Sequence, residues 1–154
     1  MKKNFFSSTK TKILGIILLI AFDQWSKSWV RNNLIDNPML LINNFLELNY
    51  QKNTGIAFSL LNDSALVLTL VNSSIIAGLI VWLISQKKLS WIFVFVIAGG
   101  IGNLIDRYTL GYVVDFINPL FIDFAVFNIA DVYLNIGAGL MLIRIFILRE
   151  KTLI

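Results

Sequence analysis

Four long apolar runs alternate with shorter polar segments along this chain, at about 12–30, 65–84, 89–105 and 132–148. The second is the cleanest, interrupted only by Thr69, Asn72, Ser73 and Ser74. A hydrocarbon core ~30 Å thick asks for about 20 apolar residues of helix, so the pattern predicts four transmembrane helices. The first run follows a basic start (Lys2, Lys3, Lys10, Lys12), as a secretory signal would. What comes next is Asp23-Gln24-Trp25-Ser26-Lys27 and not a small-x-small cleavage site, so this run reads as a retained span.

Between the first two runs the period changes. Leu46, Leu48 and Tyr50 alternate with Glu47, Asn49 and Gln51, the period-2 signature of a strand with one apolar face. Turn residues punctuate this stretch at Asn32-Asn33, Asn37-Pro38, Asn43-Asn44 and Asn53-Thr54-Gly55. The expected architecture is therefore an all-α integral membrane protein, one membrane domain over 1–154, with a small extramembrane β element at about 38–60 between helices 1 and 2. An outer loop at about 106–131 joins helices 3 and 4.

Composition fits this reading. Hydrophobic residues make up 57% of the chain and charged residues 14%, well below the ~25% charged fraction of soluble domains. The net charge of +4 is a matter of topology. Of the 13 Lys and Arg, only Lys27, Arg31, Lys52 and Arg107 fall within positions 23–64 and 105–131. The rest lie at the termini and the middle connection, where Lys87 and Lys88 sit, and every acid except Glu150 falls on the opposite side. By the positive-inside rule both termini are cytoplasmic, and a nucleic-acid partner is not expected. The chain has no Cys and no His. That removes disulfides, thiol nucleophiles, Ser-His and Cys-His pairs and the commonest transition-metal ligand.

The remaining chemistry must come from carboxylates, amides, Lys and hydroxyls, and these converge at the outer ends of the spans. Asp115 sits in an apolar frame, Val113-Val114-Asp115-Phe116, and Asp131 follows Asn128-Ile129-Ala130 at the start of the last helix. Carboxylates next to hydrocarbon are costly and mark candidate sites. If Asp115 and Asp131 meet within hydrogen-bonding distance, both cannot ionise cheaply, and one shared proton makes an acid/base dyad. Asp131 also reads as an N-cap or first-turn acid. Asp23 and Lys27, four apart on a helix, can pair structurally, or Lys27 can contact a substrate. Asn103 can orient a carboxylate. The glycines of Gly99-Gly100-x-Gly102 suit close helix packing. Asp106-Arg107 reads as an interfacial anchor with its own charge pairing, with Arg107 able to hold the extramembrane segment over the site. On residues alone, an aspartyl hydrolase, an ion- or proton-coupled transporter, a Ser-Lys hydrolase using Ser26 or Ser59 with Lys27, and a non-catalytic scaffold all stay open.

The chain resembles lipoprotein signal peptidase (signal peptidase II), a family of bacterial membrane aspartyl endopeptidases. The resemblance rests on Asp23 with Lys27, Asn53-Thr54-Gly55-Ile56-Ala57-Phe58-Ser59, Gly99-Gly100-Ile101-Gly102-Asn103-Leu104-Ile105-Asp106-Arg107, Val113-Val114-Asp115-Phe116 and Phe127-Asn128-Ile129-Ala130-Asp131. It implies Asp115 and Asp131 as the catalytic pair. It further implies Asp23, Lys27, Asn53, Asn103, Arg107 and Asn128 as supports for the pair and the substrate. Its implied substrate is a diacylglyceryl-modified prolipoprotein cut just before the lipidated cysteine, with no cofactor and no metal. The implied setting is the bacterial cytoplasmic (inner) membrane, with the active site on its outer side. One four-helix unit suffices for that chemistry, so a monomer surrounded by membrane lipids is expected. Ala125 stands where the family often has proline, and Ile56 where it usually has a smaller residue.

Overall fold

The computed structural model describes residues 8–55, 64–87 and 89–147. The expected features at Lys2, Lys3, Ile56 to Ser59, Lys88, Arg149, Glu150 and Lys151 lie outside the described residues.

In chain order, the elements are α1 (Thr9–Asn33), β1 (Met39–Ile42), β2 (Leu46–Asn53), α2 (Ser64–Gln86), α3 (Trp91–Leu110), β3 (Val113–Pro119) and α4 (Ile129–Leu142), followed by a π-helical turn, Ile143–Ile147. Among the described residues, four helices are long and apolar enough to cross a membrane, the fourth counted as Ile129–Phe146. Their outward faces carry the apolar side chains that a soluble protein would bury, among them Leu18, Leu70, Val81 and Phe146.

The spans pack through small residues. A Cβ placed on Gly99 of α3 would lie 2.5 Å from the Ala130 carbonyl oxygen and 2.9 Å from Leu134 Cγ on α4. Only glycine lets these two backbones come so close. Lower in the bundle, Leu83, Phe93 and Ile97 form a buried cluster between α2 and α3.

The three strands form one antiparallel sheet in the order β1-β2-β3. Two strands lie between α1 and α2, inside the expected β region at about 38–60, and the alternation marks the second of them. The third comes from the segment read as outer loop, and the register Asn53↔Val113 through Leu46↔Pro119 ties it to β2. That segment also contains the last turn of α3. The helix continues past the expected end near 105 to a left-handed C-cap at Gly111 (φ 81°), whose N–H donates to the Arg107 carbonyl. The C-terminal end of α1 closes the far side of the sheet, with Val30 and Leu34 packed on Val114 and Phe116. β3 is thus covered on both faces.

Candidate functional site

Each of the two candidate carboxylates sits on a chain segment fixed from both sides. Asp115 lies in the buried half of β3. On one side, β2 brings Asn53 diagonally opposite, and its Nδ2 donates to Asp115 Oδ2 at 2.8 Å. On the other, the returning chain bridges β3 through Phe127, whose carbonyl accepts from Phe116 N and Ile117 N. This delivers the fully buried Asn128, whose Nδ2 donates to Asp115 Oδ1 at 2.6 Å.

Asn128 also starts α4. Its Oδ1 accepts from Asp131 N at 3.0 Å, and its backbone N–H donates to Asp131 Oδ2 at 3.1 Å, a reciprocal capping box. Asp131 is therefore the first-turn acid of α4 and Asn128 its cap. The second Asp131 oxygen accepts from Asn103 Nδ2 at 2.8 Å. Asn103 Oδ1 in turn accepts from Asn128 Nδ2 at 3.1 Å and from Lys27 Nζ at 2.9 Å. Three asparagines thus surround the two carboxylates, and both carboxylates are bonded to Asn128.

Asp115 and Asp131 open onto one cavity of about 310 Å³, lined also by Asn53, Phe124, Val126, Phe127 and Asn135. Burial pushes the Asp115 carboxyl up from 3.8 to about 6. The amides of Asn53 and Asn128 pull it back down, and the charge of Asp131 adds a smaller upward push. Desolvation, more than mutual repulsion, is what raises it. Such a pair, one carboxyl raised to about 6 beside one held by N–H donors, can work as acid and base on a bound water. Among the described residues, no three carboxylates are grouped so as to hold a metal ion.

Behind the carboxylates lies a buried ionic cluster. Lys27 Nζ stands 2.9 Å from Asp23 Oδ2 and 3.2 Å from Asp106 Oδ2, with all three side chains at most 3% exposed. The expected Asp23–Lys27 pair is present, and Lys27 does not line the cavity. Asp106 departs from the anchor reading: it is buried, and its charge is met by Lys27. Gln24 Nε2 joins the cluster, donating to Asp106 Oδ1 and the Gly102 carbonyl at 3.0 Å. The sequence signal for Asp106 was Gly111, a C-cap that puts residue 106 inside the helix; Gln24 had none beyond its neighbour.

Arg107 stands apart from the network. Its Nε and Nη1 are buried with no hydrogen-bond partner among the described residues, and it lines a neighbouring cavity of about 190 Å³ together with Asn72, Gly100 and Asn103. Ser26 gives its hydroxyl to the Asp23 carbonyl at 2.7 Å. The described partners of Lys27 are Asp23, Asp106 and Asn103, not that serine. Ser59 lies outside the described residues.

A family model described as signal peptidase (SPase) II matches residues 15–147. A lipoprotein signal peptidase of Streptococcus pyogenes serotype M1 is 38% identical over 148 residues, which cover 93% of this chain and 93% of that one. Its counterpart from Streptococcus agalactiae serotype Ia is 40% identical over 135 residues, 84% of this chain and 88% of the relative. Among solved structures, a bacterial membrane enzyme determined in meso at 1.9 Å superposes with a TM-score of 0.84 at 30% identity, covering 99% of each chain. A second, at 2.3 Å, gives a TM-score of 0.79 at 28% identity over 95% of each.

Proposed function

The chain belongs to the signal peptidase II family, a membrane peptidase family, and we propose that Asp115 and Asp131 are its catalytic pair. The substrate in this reading is a prolipoprotein whose future N-terminal cysteine already carries a diacylglyceryl group. The scissile bond is the one just before that cysteine.

The observation that carries the reading is the shared cavity: two carboxylates from different elements, both bonded to Asn128, open onto one space near the ends of the spans. Asp131, held by Asn103 and by the amide of Asn128, takes a proton from water as the water oxygen attacks the scissile carbonyl carbon. Asp115, raised by burial, holds the proton that goes to the carbonyl oxygen. Collapse of the tetrahedral diol breaks the C–N bond: Asp131 gives the proton it took from water to the departing amine, and Asp115 takes back a proton from a diol hydroxyl. The products are a new carboxylate on the signal peptide and a free amine on the lipidated cysteine. A pair at the helix ends meets a lipid-anchored substrate near the bilayer surface, without charge at the midplane. Trp25 and Trp29, 63% and 37% exposed on α1, suit the headgroup level.

The distribution of Lys and Arg favours cytoplasmic termini and an active site on the outer face of the bacterial cytoplasmic membrane. Asp23, Lys27, Asn53, Asn103 and Asn128 act as supports through the contacts above. Arg107, which lines the neighbouring cavity beside Asn103, is assigned as a support for the bound substrate.

The test of the substrate is direct. Purified protein in liposomes receives a diacylglyceryl-modified prolipoprotein and, separately, the unmodified precursor, and products are read by mass spectrometry. Cleavage before the modified cysteine, with the unmodified precursor left intact, supports the reading. Equal cleavage of both would remove the lipid requirement.

A further inference from the structure

Neither Asp106 nor Asp23 lines the cavity that holds the two candidate catalytic carboxylates. Each instead accepts a hydrogen bond from one particular backbone N–H. Asp106 Oδ2 accepts from Val114 N at 3.0 Å, and Asp23 Oδ1 accepts from Ala130 N at 2.9 Å. Val114 immediately precedes Asp115, and Ala130 immediately precedes Asp131. The two anchoring carboxylates meet at one cation, Lys27 Nζ, at 2.9 and 3.2 Å, and Gln24 Nε2 bonds both, at 3.2 Å to Asp23 Oδ2 and 3.0 Å to Asp106 Oδ1.

β3 and α4 are not neighbours in a regular element. The described hydrogen bonds between them run through Phe127 and Asn128, at the end of a loop. A second frame that fixes both from behind would set how far apart their carboxyls stand. We infer that Asp106 is a positioning residue for catalysis: with Asp23 it forms a clamp on Lys27 that holds the backbone just before each catalytic aspartate. This rests on the assignment of Asp115 and Asp131 as the catalytic pair.

Asp106 therefore acts on Asp115 through Val114 and touches neither water nor substrate. Its loss lets β3 shift against α4 while the substrate-facing walls, Phe124 to Phe127 and Asn135, keep their residues. A displacement of about 1 Å in a reacting group costs on the order of 100-fold in rate. Asp106→Ala is expected to lower kcat by about that factor, with KM for the lipidated precursor within about twofold of wild type. Asp106→Asn keeps an acceptor for Val114 N but gives up the charge facing Lys27, and is expected to lose about tenfold in kcat.

The experiment measures kcat and KM of wild type, Asp106→Ala, Asp106→Asn and Asp115→Asn in detergent. Each rate is normalised to the folded fraction, taken from size-exclusion recovery and thermal unfolding. A fall in kcat per folded molecule at steady KM is the expected result. An unchanged kcat per folded molecule, or a rise in KM at constant kcat, overturns the proposal. If Asp106→Ala does not accumulate as folded protein, the same comparison on Asp106→Asn decides, with a wild-type kcat as the overturning result. Cleavage by Asp115→Asn would instead overturn the catalytic assignment on which the clamp rests.

Discussion

Asn128 couples the two carboxylates, and replacing it separates their electrostatics from the fold of α4. In Asn128→Ser the hydroxyl can still cap α4, since Ser and Asn are comparable N-caps, and the Asp131 carboxylate keeps the amide of residue 128. The Nδ2 donor that reaches Asp115 Oδ1 at 2.6 Å is lost. A hydrogen bond to a charged group is worth about 1.5–3 kcal/mol, and 1.36 kcal/mol is one pH unit. The Asp115 carboxyl, now at about 6, is therefore expected to rise by about one to two pH units, to roughly 7–8. The sign follows from what the amide does: it stabilises the carboxylate, so its removal favours the acid. Because Asp115 is the proton holder in the proposed mechanism, the alkaline limb of the kcat/KM profile should move up by that amount. The limb reports the pair as a whole. Stability moves with it. A folded value above the ordinary 3.8 gives stability that is complete below about 3.8 and lost as pH rises through about 6; in the variant that loss shifts to roughly 7–8. Cleavage of lipidated precursor, followed across pH in one detergent, gives the profile. Thermal unfolding across the same range gives the stability curve. An alkaline limb that stays in place, or moves down, in folded Asn128→Ser would refute the reasoning. Asn128→Ala, which also loses the cap, should be less stable than Asn128→Ser by about 1 kcal/mol.

Other changes test the packing behind the site. A Cβ on Gly102 would stand 2.6 Å from Asp23 Oδ2, about 0.8 Å short of ordinary contact at 3.4 Å, and Asp23 is held by Lys27 and Ala130 N. Gly102→Ala should cost about 1–3 kcal/mol, read as a lower unfolding midpoint, while Gly78→Ala, with open space at its Cβ, should leave the midpoint in place. Lys27→Met leaves two buried carboxylates, Asp23 and Asp106, without their cation. The expected loss is about 3–5 kcal/mol, seen as low folded yield at neutral pH, and a wild-type yield would mean that the two acids are not both ionised.

The four spans were legible because each is a long apolar run, and β2 because one of its faces is apolar and the other polar. β3 was not. Val113, Val114, Asp115 and Phe116 are all buried, so no alternation survives, and a short apolar run covered on both faces looks the same as any other buried segment. The apolar frame of Asp115 was visible, but not the strand that provides it. Asp131 was readable as a first-turn acid because Asn128 and Asp131 carry the spacing of a capping box. The link from Asn103 to Lys27 joins residues 76 positions apart, and no local pattern encodes such a pair. Asp106 was misplaced because an Asp-Arg pair after an apolar run resembles a membrane boundary. Its true setting depends on Lys27 from α1 and on Val114 from β3.

The most direct measurement is cleavage of a diacylglyceryl-modified prolipoprotein by wild type, Asp115→Asn and Asp131→Asn, compared per folded molecule. Each substitution removes an ionisable carboxyl from the pair while nearly keeping its shape. Product is expected from wild type and none above background from either variant, with both still inserted and folded. Cleavage at a wild-type rate by either folded variant would contradict the assignment of the pair.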